Sequence, residues 1–114
     1  IKNIKFACNS KVGYVVLNDA LFTKTNSNLE DADGFADFIR AISEIEVSFV
    51  IIDKEKSLKI SFRSRGVHTV NDIAKIFGGG GHFYASGCES DNHSVEDAIN
   101  RILDKLERKI KHVH

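Results

Sequence analysis

Residues 47–63 read VSFVIIDKEKSLKISFR, and this stretch predicts two consecutive strands. Its first six residues are rich in β-branched and aromatic side chains, which favour strands. From residue 58 onward, apolar and polar residues alternate in LKISFR, as expected of a strand with one buried face. The polar residues 53–57 between the two runs have the length of a hairpin turn. We therefore predict an antiparallel β-hairpin.

Two shorter segments outside this hairpin also have the composition of strands. The apolar run VGYVVL at residues 12–17 is typical of a short buried strand. Residues 85–89 form a second, shorter candidate. The stretch TKTNSN at residues 23–28 is polar throughout and predicts a loop.

Two longer segments have the apolar spacing of amphipathic helices. Asp31 can cap a helix that runs to about Ser43, and Ser94 can cap another that runs to about Lys111. Each needs a core to cover its apolar stripe. The predicted buried stripes are Phe35, Phe38, Ile39 and Ile42 in the first helix and Val95, Ile99, Ile102, Leu106 and Ile110 in the last.

A third, short helix lies between them. Thr69 or Asn71 can cap it, and Gly78 ends it, because glycine is favoured just after the last helical turn. Its predicted buried face consists of Val70, Ile73, Ala74 and Phe77. Together these elements predict a single α+β (α/β-like) domain with a small mixed β-sheet, an antiparallel hairpin and about three helices.

Composition narrows the class of function. The 114 residues include 16 basic and 16 acidic side chains, so no overall basic field attracts long nucleic acid. This composition is still compatible with a local pocket that binds one or two phosphates. No apolar run reaches the ~20 residues of a membrane span, and no signal peptide pattern opens the chain.

Cysteine usage indicates the cellular compartment, and the first residue indicates how the chain relates to a longer protein. Cys8 and Cys88 lie far apart in sequence and predict free thiols in a reducing compartment, hence a cytoplasmic protein. The chain contains no Met and begins with Ile1. This predicts a domain excised from a longer polypeptide.

The chemistry is concentrated between residues 61 and 88. Arg63 and Arg65 lie at a strand end with one residue between them. Alternation therefore puts both on one side if the strand stays extended. Guanidinium groups suit a two-pronged hold on phosphate oxygens. Four glycines precede His82, whose ring can donate to phosphate, and bare backbone lets a ligand approach closely. The candidate substrate-binding residues are Arg63, Ser64, Arg65, Gly78, Gly79, Gly80, Gly81 and His82.

Plainer interpretations of the same residues remain open. The glycine run can be a helix cap followed by a turn, and the arginines can be solvated or paired with acidic neighbours. The run follows a helix, so the adjacent helix end carries partial negative charge, and the G-K-[ST] of nucleotide-binding loops is missing. If phosphate binds here, arginine, His82 and backbone amides must hold it.

Metal and nucleophile sites have weaker support. The spacing of His82, Cys88 and His93 matches no standard zinc arrangement. Cys88 lacks an adjacent activating base and suits a buried position. The carboxylates Asp31, Asp33 and Asp37 fit helix capping and a solvated face. We predict no catalytic residue and no metal ligand in this chain.

The motifs as a set resemble a known family. The chain has S-F-R-S at residues 61–64, I-A at 73–74, G-G-G-G-H at 78–82 and A-S-G at 85–87. It resembles the DHH-associated C-terminal domain, subfamily 1, of the DHH phosphoesterases, especially the nanoRNA-degrading and phosphoadenosine-phosphate phosphatase branch. Ser86 replaces a second Ala, which affects local packing only. The resemblance implies that Arg63, Ser64 and His82 contact phosphate, with the glycine amides alongside.

The resemblance also implies what the chain lacks. An N-terminal DHH domain of the same polypeptide holds two Mn²⁺ ions, and this chain contains no Asp-His-His, so alone it should be inactive. The implied substrates are nanoRNA or phosphoadenosine phosphate, with a cyclic dinucleotide or RecJ-type single-stranded DNA as alternatives. The parent protein is a possible homodimer. From other classes, a non-catalytic tRNA-binding module and a purely structural or dimerising domain remain open.

Overall fold

The computed structural model describes residues 4–18, 31–42 and 44–113. These residues form one six-stranded mixed sheet and three helices, which confirms the predicted fold class. The strands are β1 (Lys5–Ala7), β2 (Val12–Asn18), β3 (Val47–Asp53), β4 (Leu58–Ser64), β5 (Gly80–His82) and β6 (Ala85–Ser90). The helices are α1 (Asp31–Arg40), α2 (Asn71–Ile76) and α3 (Val95–Val113). No described helix is both long and apolar enough to cross a membrane.

The predicted hairpin lies at the centre of the sheet. The strand order is β1-β2-β3-β4-β6-β5, and β3 and β4 pair antiparallel from Val47 opposite Ser64 to Asp53 opposite Leu58. The β2–β3 pair is parallel, and the other neighbouring pairs of described strands are antiparallel. β3 is buried along VSFVII because helices cover both of its faces. Strands β1 and β5 were not predicted, since three residues are too few to show a period.

The helices cover the two faces of the sheet unequally. α2 and α3 pack on one face, where the larger core includes Phe49, Phe62 and Leu106. α1 packs on the other face, over β2 and β3, through a smaller cluster that includes Ala36 and Ile39. The described helices leave this second face open over β6 and β5, beyond the edge of α1. That open area contains the candidate site.

The buried stripe of α1 differs from the predicted one. Phe38, predicted to be buried, is 50% exposed, whereas Ala36 is fully buried. Ser48 Oγ donates a 2.6 Å hydrogen bond to the Ala36 carbonyl, so the helix meets the sheet through a small residue. A Phe at the point of contact would hold the two backbones too far apart for this bond. The helix also ends at Arg40, earlier than predicted.

The predicted N-cap of α3 is confirmed, and the predicted N-cap of α2 is wrong. Ser94 Oγ accepts from the Asp97 amide at 3.1 Å, which confirms the cap of α3. The N-cap of α2 is Val70, which makes no side-chain cap bond, so neither Thr69 nor Asn71 has the predicted role. The predicted faces of both helices are buried or partly buried. The predicted loop at residues 23–28, the Asp31 side chain and Ser43 lie outside the described part.

Candidate functional site

Three rows of residues cross the open face of β4, β6 and β5. Residues directly opposite in an antiparallel pair share a face, and alternate residues along a strand stay on that face. The first row is Arg63, Ala85 and His82; the second is Ser61, Gly87 and Gly80; the third is Lys59 and Glu89. Neighbouring rows are about 7 Å apart, and Arg63 and His82 are about 10 Å apart across two strand spacings.

These rows line one cleft of about 440 Å³. The second row contributes two glycines and the nearly buried Ser61, so the centre of the floor is mostly backbone. Larger cationic side chains stand on either side of it, and Asp33 of α1 forms part of the wall. The cleft can therefore receive a small anion or a flat group between the row of Arg63 and the row of Lys59, although Glu89 offsets the charge of the second.

Arg63 is the best-positioned cation in the cleft. Its Nε donates to Asp37 Oδ1 at 3.2 Å, Nη1 donates to the Phe62 carbonyl at 2.8 Å, and Nη2 lies 3.3 Å from Asp33 Oδ1. The side chain is 17% exposed. Of the five N–H groups of a guanidinium, those beyond these three contacts have no further partner among the described residues. Arg63 is thus held by α1 and can still donate to a ligand.

His82 lies at the opposite end of the same row. It occupies the last position of β5, opposite Ala85, and its exposed side chain lines the cleft. Sequence reasoning placed Arg63 and His82 in one site, and the structure brings them to one cavity beside Gly80 and Gly81. The geometry allows both side chains to donate to one bound anion from its two sides.

The first two glycines of the run serve the fold. Gly78 has a φ of +84° and follows the end of α2, and its amide donates to the Lys75 carbonyl at 3.1 Å. The Gly79 amide donates to the Ala74 carbonyl at 2.9 Å, which completes a Schellman cap. A Cβ on Gly79 would lie 2.2 Å from the Gly87 carbonyl oxygen. Neither residue lines the cleft.

The last two glycines form the strand that borders the cleft. Gly81 has a φ of +138°, and a Cβ there would lie 2.8 Å from Ser86 Cα, so the fold requires glycine. A Cβ on Gly80 would meet no atom within 4 Å. The fold of the described residues therefore has no steric need for glycine at residue 80, which faces the cleft. A glycine here leaves the backbone of the cleft floor uncovered, which would allow a ligand to approach it closely.

Ser64 and Arg65 lie outside the cleft. Ser64 is 8% exposed, and its Oγ donates to the His68 carbonyl at 2.5 Å. Arg65 donates from Nε to the Ile45 carbonyl at 2.9 Å and from Nη2 to the Arg40 carbonyl at 2.6 Å. Arg65 thus satisfies carbonyls at and beyond the end of α1, a position that favours a cation. These contacts indicate a structural role for both residues in this conformation.

Sequence reasoning missed three charged residues of the cleft. Lys59 and Glu89 stand opposite each other in the third row, and Asp33 approaches from α1. Alternation along β4 was the signal for Lys59, because it shares the face of Arg63. The other two could not be found from sequence, since their proximity depends on strand register and helix placement.

Cys88 borders the cleft, but its side chain lies on the other face of β6, where it packs against the larger core. Burial raises the pKa of its thiol to about 12, so the nucleophilic thiolate is scarce at neutral pH. Among residues 4–18, 31–42 and 44–113, no group of three or more His, Cys, Asp and Glu side chains is arranged to hold a metal ion. The described residues thus offer no donor set that fits a resident Mn²⁺.

Comparison with known sequences identifies relatives over most of the chain. The model of the DHHA1 domain family matches residues 9–112. The bifunctional oligoribonuclease and PAP phosphatase NrnA of Thermus thermophilus is 33% identical over 81 residues, which are 71% of this chain and 25% of that protein. The chain thus spans about a quarter of the length of this curated relative.

Solved structures share the fold. An exopolyphosphatase-related protein from Bacteroides fragilis matches with a TM-score of 0.81 and 27% identity, over 96% of this chain and 33% of that one. The C-Ala domain of Aquifex aeolicus alanyl-tRNA synthetase matches with a TM-score of 0.63 and 17% identity, over 84% of this chain and 90% of that domain. At this identity the second match shows a common fold alone.

Proposed function

Because the chain belongs to the DHHA1 domain family, we propose that it binds the phosphorylated substrate of a DHH-family phosphoesterase. The proposed substrates are very short RNA and phosphoadenosine phosphate, as the names of the Thermus thermophilus relative suggest. The observation that carries the proposal is the shared cleft, in which Arg63 and His82 flank a backbone floor at Gly80. Such a site binds and orients a phosphate group.

The length of the cleft supports a ligand with more than one phosphate. Lys59 and Arg63 lie four residues apart on one face of β4, which separates their Cα atoms by about 13 Å. One cation can meet each end of a nucleotide that is phosphorylated on both sides of its sugar. Asp33 and Glu89 limit the positive field, so the site favours small ligands over a long strand.

The hydrolytic group belongs to another part of the proposed enzyme. The described residues provide no metal cluster, and the matched relative is about four times longer than the matched segment. We assign Mn²⁺ to a DHH domain on the same polypeptide, where it would activate water for attack at phosphorus. The residues of this chain hold the phosphate still and stabilise its charge during that attack.

The test uses the full-length polypeptide that carries this chain, with Mn²⁺, on di- to pentaribonucleotides and on phosphoadenosine phosphate. Arg63→Ala and His82→Ala should each lower kcat/KM. The expected loss of transition-state stabilisation is about 2–4 kcal/mol for each variant. The matched control is Arg108→Ala, which removes a 72% exposed arginine on α3, the helix on the other face of the sheet. Its kcat/KM should stay unchanged.

Two results would oppose the proposal. If both cleft variants keep the wild-type kcat/KM, the domain is structural or dimerising. If the full-length protein hydrolyses none of these substrates but binds tRNA with an affinity that His82→Ala leaves unchanged, it is a nucleic-acid-binding module. A cyclic dinucleotide and long single-stranded DNA, assayed in parallel, decide between branches of the family.

A further inference from the structure

Two exposed aromatic side chains form the turn at the cationic end of the cleft. Phe83 and Tyr84 are the two residues between β5 and β6, directly after His82 and before Ala85. Phe83 is 63% exposed and Tyr84 is 45% exposed. Single exposed apolar residues are common, but an adjacent aromatic pair beside a ligand cleft indicates a contact with something outside the described residues.

The backbone of this turn is held in place. The Tyr84 carbonyl accepts from the Ser64 amide at 2.9 Å, and the Phe83 carbonyl accepts from the Val70 amide at 2.7 Å. The two rings meet edge to face, with centroids 6.3 Å apart and planes inclined by 65°. Because the turn is already anchored, a flat group that packs on it costs little additional ordering.

The position of the turn suits a nucleobase. No Phe or Tyr of the described residues lines the cleft itself. The ring that does line it, the imidazole of His82, is already assigned to the phosphate. The turn begins one strand step, about 3.4 Å, beyond the row that contains Arg63 and His82. A nucleotide whose phosphate lies at that row can place its base at the turn.

We propose that Phe83 and Tyr84 form a stacking platform for a nucleobase of the substrate. The inference rests on the proposed function, because it needs a phosphate in the cleft. It restricts the substrate class to nucleotides and excludes base-free phosphorylated compounds as preferred substrates. Stacking tolerates any base, because every base has a π-face, so the platform should discriminate weakly among the four.

The test compares two ligands that differ only in the base. The full-length protein is assayed with phosphoadenosine phosphate and with ribose 3,5-bisphosphate, which keeps the sugar and both phosphates. Phe83→Ala and Tyr84→Ala should each lower kcat/KM for the first about tenfold and leave it unchanged for the second. Phe83→Leu keeps the apolar bulk without the ring and should match Phe83→Ala, which separates stacking from misfolding. Phe6→Ala, at the opposite edge of the sheet, is the control.

The other outcomes refute either the stacking platform alone or the proposed function as well. Equal losses on both ligands mean that the turn contacts another domain or supports the cleft, and the platform is refuted. No loss on either ligand refutes it as well. A wild-type protein that processes neither ligand, nor short RNA, overturns the proposed function and this inference with it. If wild type processes both equally well, the platform alone fails.

Discussion

Arg63 Nε donates to Asp37 Oδ1 over 3.2 Å, so a carboxylate on α1 orients the main cation of the cleft. Asp33, one helical turn earlier, lies 3.3 Å from Nη2 of the same guanidinium. Asp33 lines the cleft, whereas Asp37 does not. We therefore expect the two carboxylates to affect an anionic ligand in opposite ways, although they contact the same side chain.

Neutralising each carboxylate should distinguish the two effects. Asp33→Asn removes negative charge from the cleft wall and should tighten binding of phosphoadenosine phosphate about threefold at low salt, in the range of an exposed ion pair. Asp37→Asn weakens the contact that orients Nε and should loosen binding by a similar factor. Equilibrium binding to the full-length protein at two salt concentrations measures both. Opposite signs are required, and a common sign contradicts the assignment.

Adjacent glycines should respond differently to the same added methyl group. Gly79→Ala places a Cβ 2.2 Å from the Gly87 carbonyl oxygen and should destabilise the protein by roughly 3 kcal/mol, as severe overpacking does. Gly80→Ala meets no atom of the described fold and should unfold near the wild-type temperature, yet raise KM because its methyl occupies the cleft. Thermal unfolding and steady-state kinetics of both variants test this contrast. Wild-type KM in Gly80→Ala would show that ligands do not approach the floor.

The two arginines should also separate stability from substrate binding. Arg65→Ala leaves the Arg40 and Ile45 carbonyls without their charged donor and should cost about 2 kcal/mol of stability. Its kcat/KM at a temperature where it remains folded should stay within a few fold of wild type, unlike that of Arg63→Ala. Chemical denaturation with parallel assays measures both quantities. A large kcat/KM loss in a stable Arg65→Ala protein contradicts the structural role.

Cys88 should react slowly with thiol reagents in the native protein. Burial raises its pKa from 9.0 to about 12, so at pH 8 the thiolate is far rarer than in the unfolded chain. Alkylation by iodoacetamide, followed by peptide mass spectrometry, should be more than tenfold slower in the native protein than in denaturant. The native rate should keep rising with pH through pH 10, whereas the denatured rate levels off above about pH 9. A native plateau near pH 9 would refute the raised pKa.

Local patterns were sufficient where one segment determines its own structure. The central hairpin follows from a period of two and a polar turn, and the start of α3 follows from Ser94, whose hydroxyl caps its own helix. Gly78 ends α2 because that position needs a positive φ. Each of these features depends on residues close together in the chain, so they are readable without the fold.

The sequence by itself determined the class of fold, the position of the cationic strand end and the glycine run that follows α2. Only the tertiary structure decided that Arg63 faces the cleft beside His82 while Arg65 serves the end of α1. It also separated Gly80, which faces open space, from the glycines that the backbone requires. The physical reason is that strand register and helix placement set these distances, and both arise from packing between residues far apart in the chain.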